Sequence, residues 1–66
     1  MKITKKVDEY GNICYYNEQG QLYREDGPAV EYADGTKVWY LNGEEYSEQE
    51  FNNLILKKRL KRILEL

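Results

Sequence analysis

The chain contains no histidine, a single cysteine (Cys14) and a single proline among its 66 residues. One cysteine cannot form an intrachain disulfide, and a zinc site normally combines several Cys and His ligands. The absence of histidine also removes the usual general base at neutral pH. We therefore expect no enzyme activity, no catalytic residues, no bound metal and no cofactor.

Long apolar runs are missing as well. The lysine-rich start lacks the apolar stretch of about 7–15 residues that marks a secretory signal, and no run approaches the roughly 18 residues of a membrane span. A lone free cysteine is typical of a reducing compartment, so the expected location is the cytoplasm. A domain this short has a marginal core, which leaves self-association or a very regular fold to stabilise it.

Residues 11–46 contain two copies of one short unit. Residues 11–16 align with residues 35–40, and residues 20–23 align with residues 43–46 if the first copy has one extra residue. Each copy predicts a glycine turn, a strand ending in two aromatic residues, a second glycine turn and a short strand.

The turn sequences of the second copy predict a strand register. Asp34-Gly35 and Asn42-Gly43 favour two-residue type I′ turns, which would place Val30 opposite Trp39, and Trp39 opposite Tyr46. Directly opposed residues share a face of the sheet. The core is therefore predicted to include Val30, Tyr32, Trp39, Leu41 and Tyr46, together with Tyr15 and Tyr23.

The residues after Tyr46 predict a helix. Ser47 and Glu50 have the spacing of a capping box, and the following residues are mostly good helix formers, so we expect one helix over about 48–64. The predicted fold class is α+β: an antiparallel β-meander of four to five short strands in 1–46, with residues 3–7 as a possible edge strand, and a C-terminal helix in 47–66. Residues 1–66 form one domain.

The predicted helix has two apolar stripes on nearly opposite sides. Phe51, Leu54 and Ile55 form one stripe, which can pack on the sheet. The second stripe has three alternative explanations: a dimer seam, a surface that docks on a partner protein, or a kink or fraying near residue 57 that lets both stripes contact the sheet. Its members are Leu56, Leu60, Ile63 and Leu64.

Charge is distributed unevenly, with a net charge of −6 over residues 1–50 and +4 over residues 51–66. The basic residues of the tail have three alternative explanations. They form a solvated face that complements the helix dipole, a surface that binds an acidic protein, or a surface that contacts nucleic acid. The acidic body disfavours nucleic acid as a partner. This predicted basic rim consists of Lys57, Lys58, Arg59, Lys61 and Arg62.

Tyrosine is abundant, with seven copies in the chain. The repeat places Tyr16 and Tyr40 on the face away from the predicted core, with Val38 beside them. These three residues form a possible aromatic contact patch. The alternatives are tyrosines exposed without a role, or a surface that stacks on a small nucleotide.

Residues 10–46, and most specifically the segment 23–43, resemble a repeat of small phage and bacterial proteins related to MORN-type β-hairpin repeats, some of them labelled antitoxins. The matching residues are Arg24, the run Asp26-Gly27-Pro28-Ala29, and Asp34-Gly35 followed by Trp39-Tyr40 and Asn42-Gly43. Tyr23 replaces the histidine usual in that pattern, and the helical tail lies outside it. The resemblance implies a hairpin meander without fixed ligand residues.

The combined expectation is a non-catalytic module that binds another protein, with homodimerisation through the helix as a further possibility. The resemblance implies a phage-encoded inhibitor that acts in the host bacterial cytoplasm against a defence system of the CRISPR, toxin or restriction type. The alternative function is binding of nucleic acid or sequestration of a small nucleotide through the basic helix and the exposed tyrosines.

Overall fold

The computed structural model describes residues 2–64 and consists of five short strands followed by one helix. All neighbouring strands pair antiparallel in the order β1-β2-β3-β4-β5. The predicted α+β class is therefore confirmed, and Met1, Glu65 and Leu66 of the predicted 1–66 domain lie outside the described residues. The elements are β1 (Thr4–Val7), β2 (Ile13–Tyr16), β3 (Val30–Glu31), β4 (Lys37–Leu41), β5 (Glu44–Tyr46) and α1 (Glu48–Leu64).

The internal repeat is visible in the backbone hydrogen bonds of the first two hairpin loops. In the β1–β2 loop the Asp8 N–H donates to the Asn12 carbonyl at 3.0 Å, and the Gly11 N–H donates to the Asp8 carbonyl at 3.2 Å. Residues 32–36 of the β3–β4 loop make the same two bonds, with N···O distances of 2.8 and 2.9 Å. Both loops therefore contain three residues and end in a glycine with positive φ.

The predicted register of the β3–β4 hairpin is wrong by one residue, because Val30 lies opposite Val38 and not opposite Trp39. A type I′ turn needs positive φ at both central residues. At Asp34-Gly35 only Gly35 has one, at +95°. The Asp34 carboxylate instead accepts the backbone N–H two residues further on, at 2.9 Å, an Asx turn that favours the three-residue loop.

A register shift of one residue moves side chains to the opposite face of the sheet. Val30 and Tyr32 therefore leave the predicted core face and join Val38 and Tyr40. The Asn42-Gly43 turn, in contrast, has positive φ at both residues, and the predicted pairing of Trp39 with Tyr46 is confirmed.

The segment containing the single proline interrupts a strand. The Tyr15 carbonyl accepts a bond from the Tyr23 N–H at 3.0 Å, while the Tyr15 N–H donates to the Ala29 carbonyl at 2.9 Å. The chain therefore pairs with β2 at Tyr23 and again at Ala29, and residues 24–28 project away from the sheet. The Arg24 side chain fixes this projection, because it donates to the Pro28 carbonyl at 3.1 Å and stacks 4.1 Å above the centre of the Tyr15 ring.

The predicted capping box starts α1. The Ser47 hydroxyl accepts the Glu50 N–H at 3.2 Å, and the Glu50 carboxylate accepts the Ser47 N–H at 3.1 Å. These bonds satisfy backbone donors that the first helical turn would otherwise leave unpaired.

The helix packs against β4 and β5 through its first apolar stripe, as predicted. Phe51 and Ile55 are buried against Tyr23 and Leu41. Trp39, Tyr46 and Leu54 are half-buried around this core. Val30 is buried as predicted, at 5% exposure, but the register shift places it on the other face of the sheet and outside this cluster, and Tyr32 is 47% exposed.

Candidate protein-binding surfaces

The outer helix stripe, defined by Leu56, Leu60, Ile63 and Leu64, points away from the sheet. The exposed fractions of these residues are 56%, 51%, 64% and 84%, respectively. The helix runs without interruption from Glu48 to Leu64, so the predicted alternative of a kink that turns both stripes onto the sheet is wrong. Full burial of one such aliphatic side chain contributes about 1.5–3 kcal/mol, of which these side chains gain only a part within the chain.

The basic rim borders the outer helix stripe. A turn of 100° per residue places Lys57 and Lys61 on one flank of the stripe and Arg59 on the other. Lys57 and Lys61 also line a surface hollow of about 410 Å³ between the helix and β5. Arg59 lines a groove of about 520 Å³ on the other side of the helix, where Leu56 lies beside it.

Two members of the basic rim face the body of the domain. The Lys58 Nζ lies 5.8 Å from the centre of the Tyr23 ring. The Arg62 guanidinium donates to Glu25 Oε1 at 3.2 Å, and the Tyr23 hydroxyl donates to Glu25 Oε2 at 2.9 Å. Glu25 therefore links the C-terminal half of α1 to the interrupted strand.

These contacts change the pKa of both partners of the hydrogen bond between Tyr23 and Glu25. Burial opposes ionisation of Glu25, but the Tyr23 hydroxyl, Lys58 and Arg62 together outweigh it and lower the pKa of the carboxyl group. Burial, followed by the bond to Glu25, raises the pKa of Tyr23 to about 12. The pair therefore holds a carboxylate and a neutral phenol at neutral pH.

The lowered pKa of Glu25 predicts a loss of stability in acid. Since the folded carboxyl has the lower pKa, its contribution is present above the pKa of the unfolded chain and disappears as the pH falls through the folded value. We expect Glu25→Gln to lower Tm at pH 7 by about 4–8 °C, which corresponds to about 1 kcal/mol in a domain this small. The loss is no larger because the Arg62 side chain is exposed and solvent screens the ion pair.

Thermal unfolding followed by circular dichroism between pH 7 and pH 3 measures this effect. The difference between wild type and Glu25→Gln should shrink as the pH falls, while Asp8, Asp34 and Glu50, whose pKa values hydrogen bonds also lower, keep some acid sensitivity in both proteins. A difference that is the same at every pH would show that the carboxylate charge has no role in holding the helix.

The second surface is the face of the sheet opposite α1, which we call the open sheet face. Strand register places its members on one side, since Lys6 lies opposite Cys14, Cys14 opposite Val30, and Val30 opposite Val38. In the part of the chain that the structure describes, the contacts of α1 with the sheet involve β4 and β5 on the other side. Val30 at its centre is buried, with 5% of its surface exposed. The open sheet face consists of Thr4, Lys6, Cys14, Tyr16, Val30, Tyr32, Val38, Tyr40 and Glu45.

The predicted aromatic patch of Tyr16, Val38 and Tyr40 lies on this face. A hydrogen bond with Cys14 is the main cause that raises the pKa of Tyr16, and the Lys6 ammonium lies 5.5 Å from the centre of its ring. For Tyr40, partial burial is the main cause of a raised pKa, followed by the charge of Glu45. The tyrosines are therefore uncharged at neutral pH.

The sequence places Tyr16, Val38, Tyr40 and Glu45 on this face, and the structure does the same. It places Val30 and Tyr32 on the wrong side, because it predicts a two-residue turn at Asp34-Gly35. Thr4, Lys6 and Cys14 join the face through the strand register of the first β-hairpin. The repeat could have indicated the correct length of the β3–β4 loop. The equivalent loop of the first copy, residues 9–11, has three residues and ends in glycine.

The described residues hold no cluster of three or more Cys, Asp or Glu side chains that could bind a metal ion. Cys14 has a free thiol and is half-buried on the open sheet face. Within residues 2–64, no helix has the length and apolar character needed to cross a membrane. Comparison of the chain with protein families, with curated proteins and with solved structures finds no match.

Proposed function

We propose that this chain is a non-catalytic protein-binding module that docks on its partner through the outer helix stripe. The single observation that carries the proposal is the exposure of four neighbouring aliphatic side chains, each at least half exposed, along one side of a continuous helix. Contiguous apolar surface of this kind, bordered by polar groups, is typical of interaction sites. Its spacing over two helical turns matches recognition of a helix in a groove.

The charges around the stripe define the chemistry of the partner. Lys57, Arg59 and Lys61 border it and give its flanks a positive charge. A second copy docked through the same stripe would bring two sets of cations together, which disfavours self-association there. A surface with an apolar centre and a rim of carboxylates fits both the stripe and its flanks.

A narrower form of the proposal follows from the resemblance described above. The partner would be a component of a bacterial defence system of the CRISPR, toxin or restriction type, and the chain would inhibit it by occupying a functional surface in the bacterial cytoplasm. The small size of the domain and a binding surface built from four aliphatic side chains on one helix support inhibition by direct binding.

Two designed amphipathic peptides test the chemistry of the partner. Each is about three heptads long with leucine at positions a and d, and the two differ only in carrying glutamate or lysine at positions e and g, so that neither pairs with itself. We expect the glutamate peptide to bind at least about tenfold more tightly than the lysine peptide, with an affinity that falls as salt is added.

Isothermal titration calorimetry at two salt concentrations measures both affinities. Gln19→Glu, which adds a negative charge in an exposed turn outside the helix, is the matched control for Leu60→Glu. The control should bind as wild type does, whereas Leu60→Glu should lose most of the affinity. Equal binding of the two peptides, or binding that Leu60→Glu leaves unchanged, would contradict a partner with an acidic rim.

A further inference from the structure

The turn between β4 and β5 requires a pair of residues that is also chemically reactive. Asn42 and Gly43 both have positive φ, at +50° and +81°, and asparagine followed by glycine is the sequence that adopts this turn most readily. The chain contains no other Asn-Gly pair. Because glycine has no side chain to shield its nitrogen, an asparagine that precedes glycine is the most prone to deamidation.

Deamidation at this pair uses only the groups of the turn and water. The Gly43 nitrogen attacks the side-chain Cγ of Asn42, and its proton passes to the amide nitrogen, which leaves as ammonia when the Cγ–Nδ2 bond breaks. The product is a succinimide ring. Water then adds to one of the two ring carbonyl carbons and opens the ring, which leaves aspartate or isoaspartate at position 42.

The fold holds both reacting groups away from this reaction. The Gly43 N–H donates to the Leu22 carbonyl at 2.9 Å, and a donor engaged in a hydrogen bond gives up its proton less readily. Asn42 Oδ1 accepts a bond from Asn17 Nδ2 at 3.2 Å, which fixes the amide group. Both bonds must break before the Gly43 nitrogen can bond to the Asn42 side chain.

Asn17 is a rigid anchor for the Asn42 side chain. It is 6% exposed, and its Oδ1 accepts the backbone N–H groups of Gln19 and Gln21 at 3.0 and 2.9 Å. Its Nδ2 donates to Gln21 Oε1 at 2.9 Å as well as to Asn42. A buried polar group with all its hydrogen bonds made rigidifies its surroundings. The turn that contains Asn17 therefore restrains the turn that contains Asn42.

We propose that Asn42 is a site of spontaneous deamidation and that the Asn17 side chain controls its rate. The reaction is slow in the closed turn and proceeds when the β4–β5 turn opens locally and releases both bonds. Deamidation adds a negative charge to the hollow that Asn42 lines together with Lys57 and Lys61. Isoaspartate also adds one carbon to the backbone of a two-residue turn. The site is independent of the proposed docking function.

Mass spectrometry of the full chain at mildly alkaline pH measures the reaction, and peptide mapping locates it at Asn42. Asn17→Ser keeps a hydroxyl that can accept the backbone N–H groups of its own turn but lacks the amide that bonds Asn42. We expect this variant to deamidate at Asn42 about tenfold faster than wild type, because loss of the bond makes local opening more frequent. Wild type unfolded in urea should react at least about 100-fold faster than the folded chain.

Ile55→Val is the matched control, because it removes one methyl group from the core and leaves the Asn17 bonds intact. Its rate should stay within about twofold of wild type, and circular dichroism verifies the fold of each variant. Equal rates in folded and urea-unfolded wild type would overturn the proposal, as would an unchanged rate in Asn17→Ser. So would equal acceleration in Ile55→Val and Asn17→Ser, which would show that the reaction requires global unfolding.

Discussion

Replacement of Phe51 by alanine is expected to remove most of the stability of the fold. Phe51 is 3% exposed and lies among Tyr23, Leu41 and Ile55 in the core cluster. Truncation of a buried phenylalanine costs about 3–5 kcal/mol, and a domain of this length has roughly 3–10 kcal/mol in total. We expect Phe51→Ala to be largely unfolded near 37 °C, as measured by urea denaturation followed through Trp39 fluorescence.

Leu60→Ala is the matched control for this experiment. Leu60 lies on the same helix but is 51% exposed, so its truncation should change the free energy of unfolding by no more than about 0.5 kcal/mol. A Leu60→Ala variant that loses as much stability as Phe51→Ala would show that the second stripe is buried in the isolated chain, and a docking surface there would be ruled out.

The double substitution Leu60→Glu/Ile63→Glu is expected to have the opposite profile, with an intact fold and no binding. Both side chains point away from the sheet, so the circular dichroism spectrum and Tm should stay close to those of wild type. Each lost contact is worth about 1.5–3 kcal/mol at a fully buried site, and the added carboxylates repel an acidic rim. Affinity for the glutamate peptide should fall at least about 100-fold.

The same double variant tests the narrower proposal in cells. In a bacterium that carries the targeted defence system, expression of wild type should raise the plating efficiency of a sensitive phage, and the double variant should not, at equal protein level. Retained binding or retained protection by a folded double variant would contradict docking through the outer helix stripe.

The sequence predicted the helix and its two sides well because the evidence for them is local. The bounds of α1 follow from a capping box and an uninterrupted run of helix formers, and the inward stripe of Phe51, Leu54 and Ile55 follows from helical periodicity. The order of the strands in three of the four pairs was equally accessible, since short hairpin loops join β1 to β2, β3 to β4 and β4 to β5.

The content of the open sheet face was harder to predict because it depends on the length of one loop. Asp-Gly dipeptides occur in two-residue and in three-residue hairpin loops, and the difference of one residue exchanges the two faces of β3. Two features favour the three-residue loop here. Gly35 is the only residue of the loop with positive φ, and the Asp34 carboxylate accepts a hydrogen bond from the Thr36 N–H.

The link between Tyr23, Glu25 and Arg62 also lay beyond prediction. Its partners are up to 37 residues apart in the chain, and they meet only because the strand is interrupted at this point. No periodic pattern marks such a contact, since it depends on the path of the projecting segment and on the angle at which the helix crosses the sheet.

The most direct test of the docking surface is an amide NMR spectrum of the isotope-labelled chain, recorded during titration with the glutamate peptide. Peaks of residues 53–64 should shift or broaden on addition of the peptide, while those of β1 and β2 stay unchanged. Shifts concentrated in β1 to β4, or an unaffected helix under conditions where calorimetry detects binding, would contradict a docking function of the outer helix stripe.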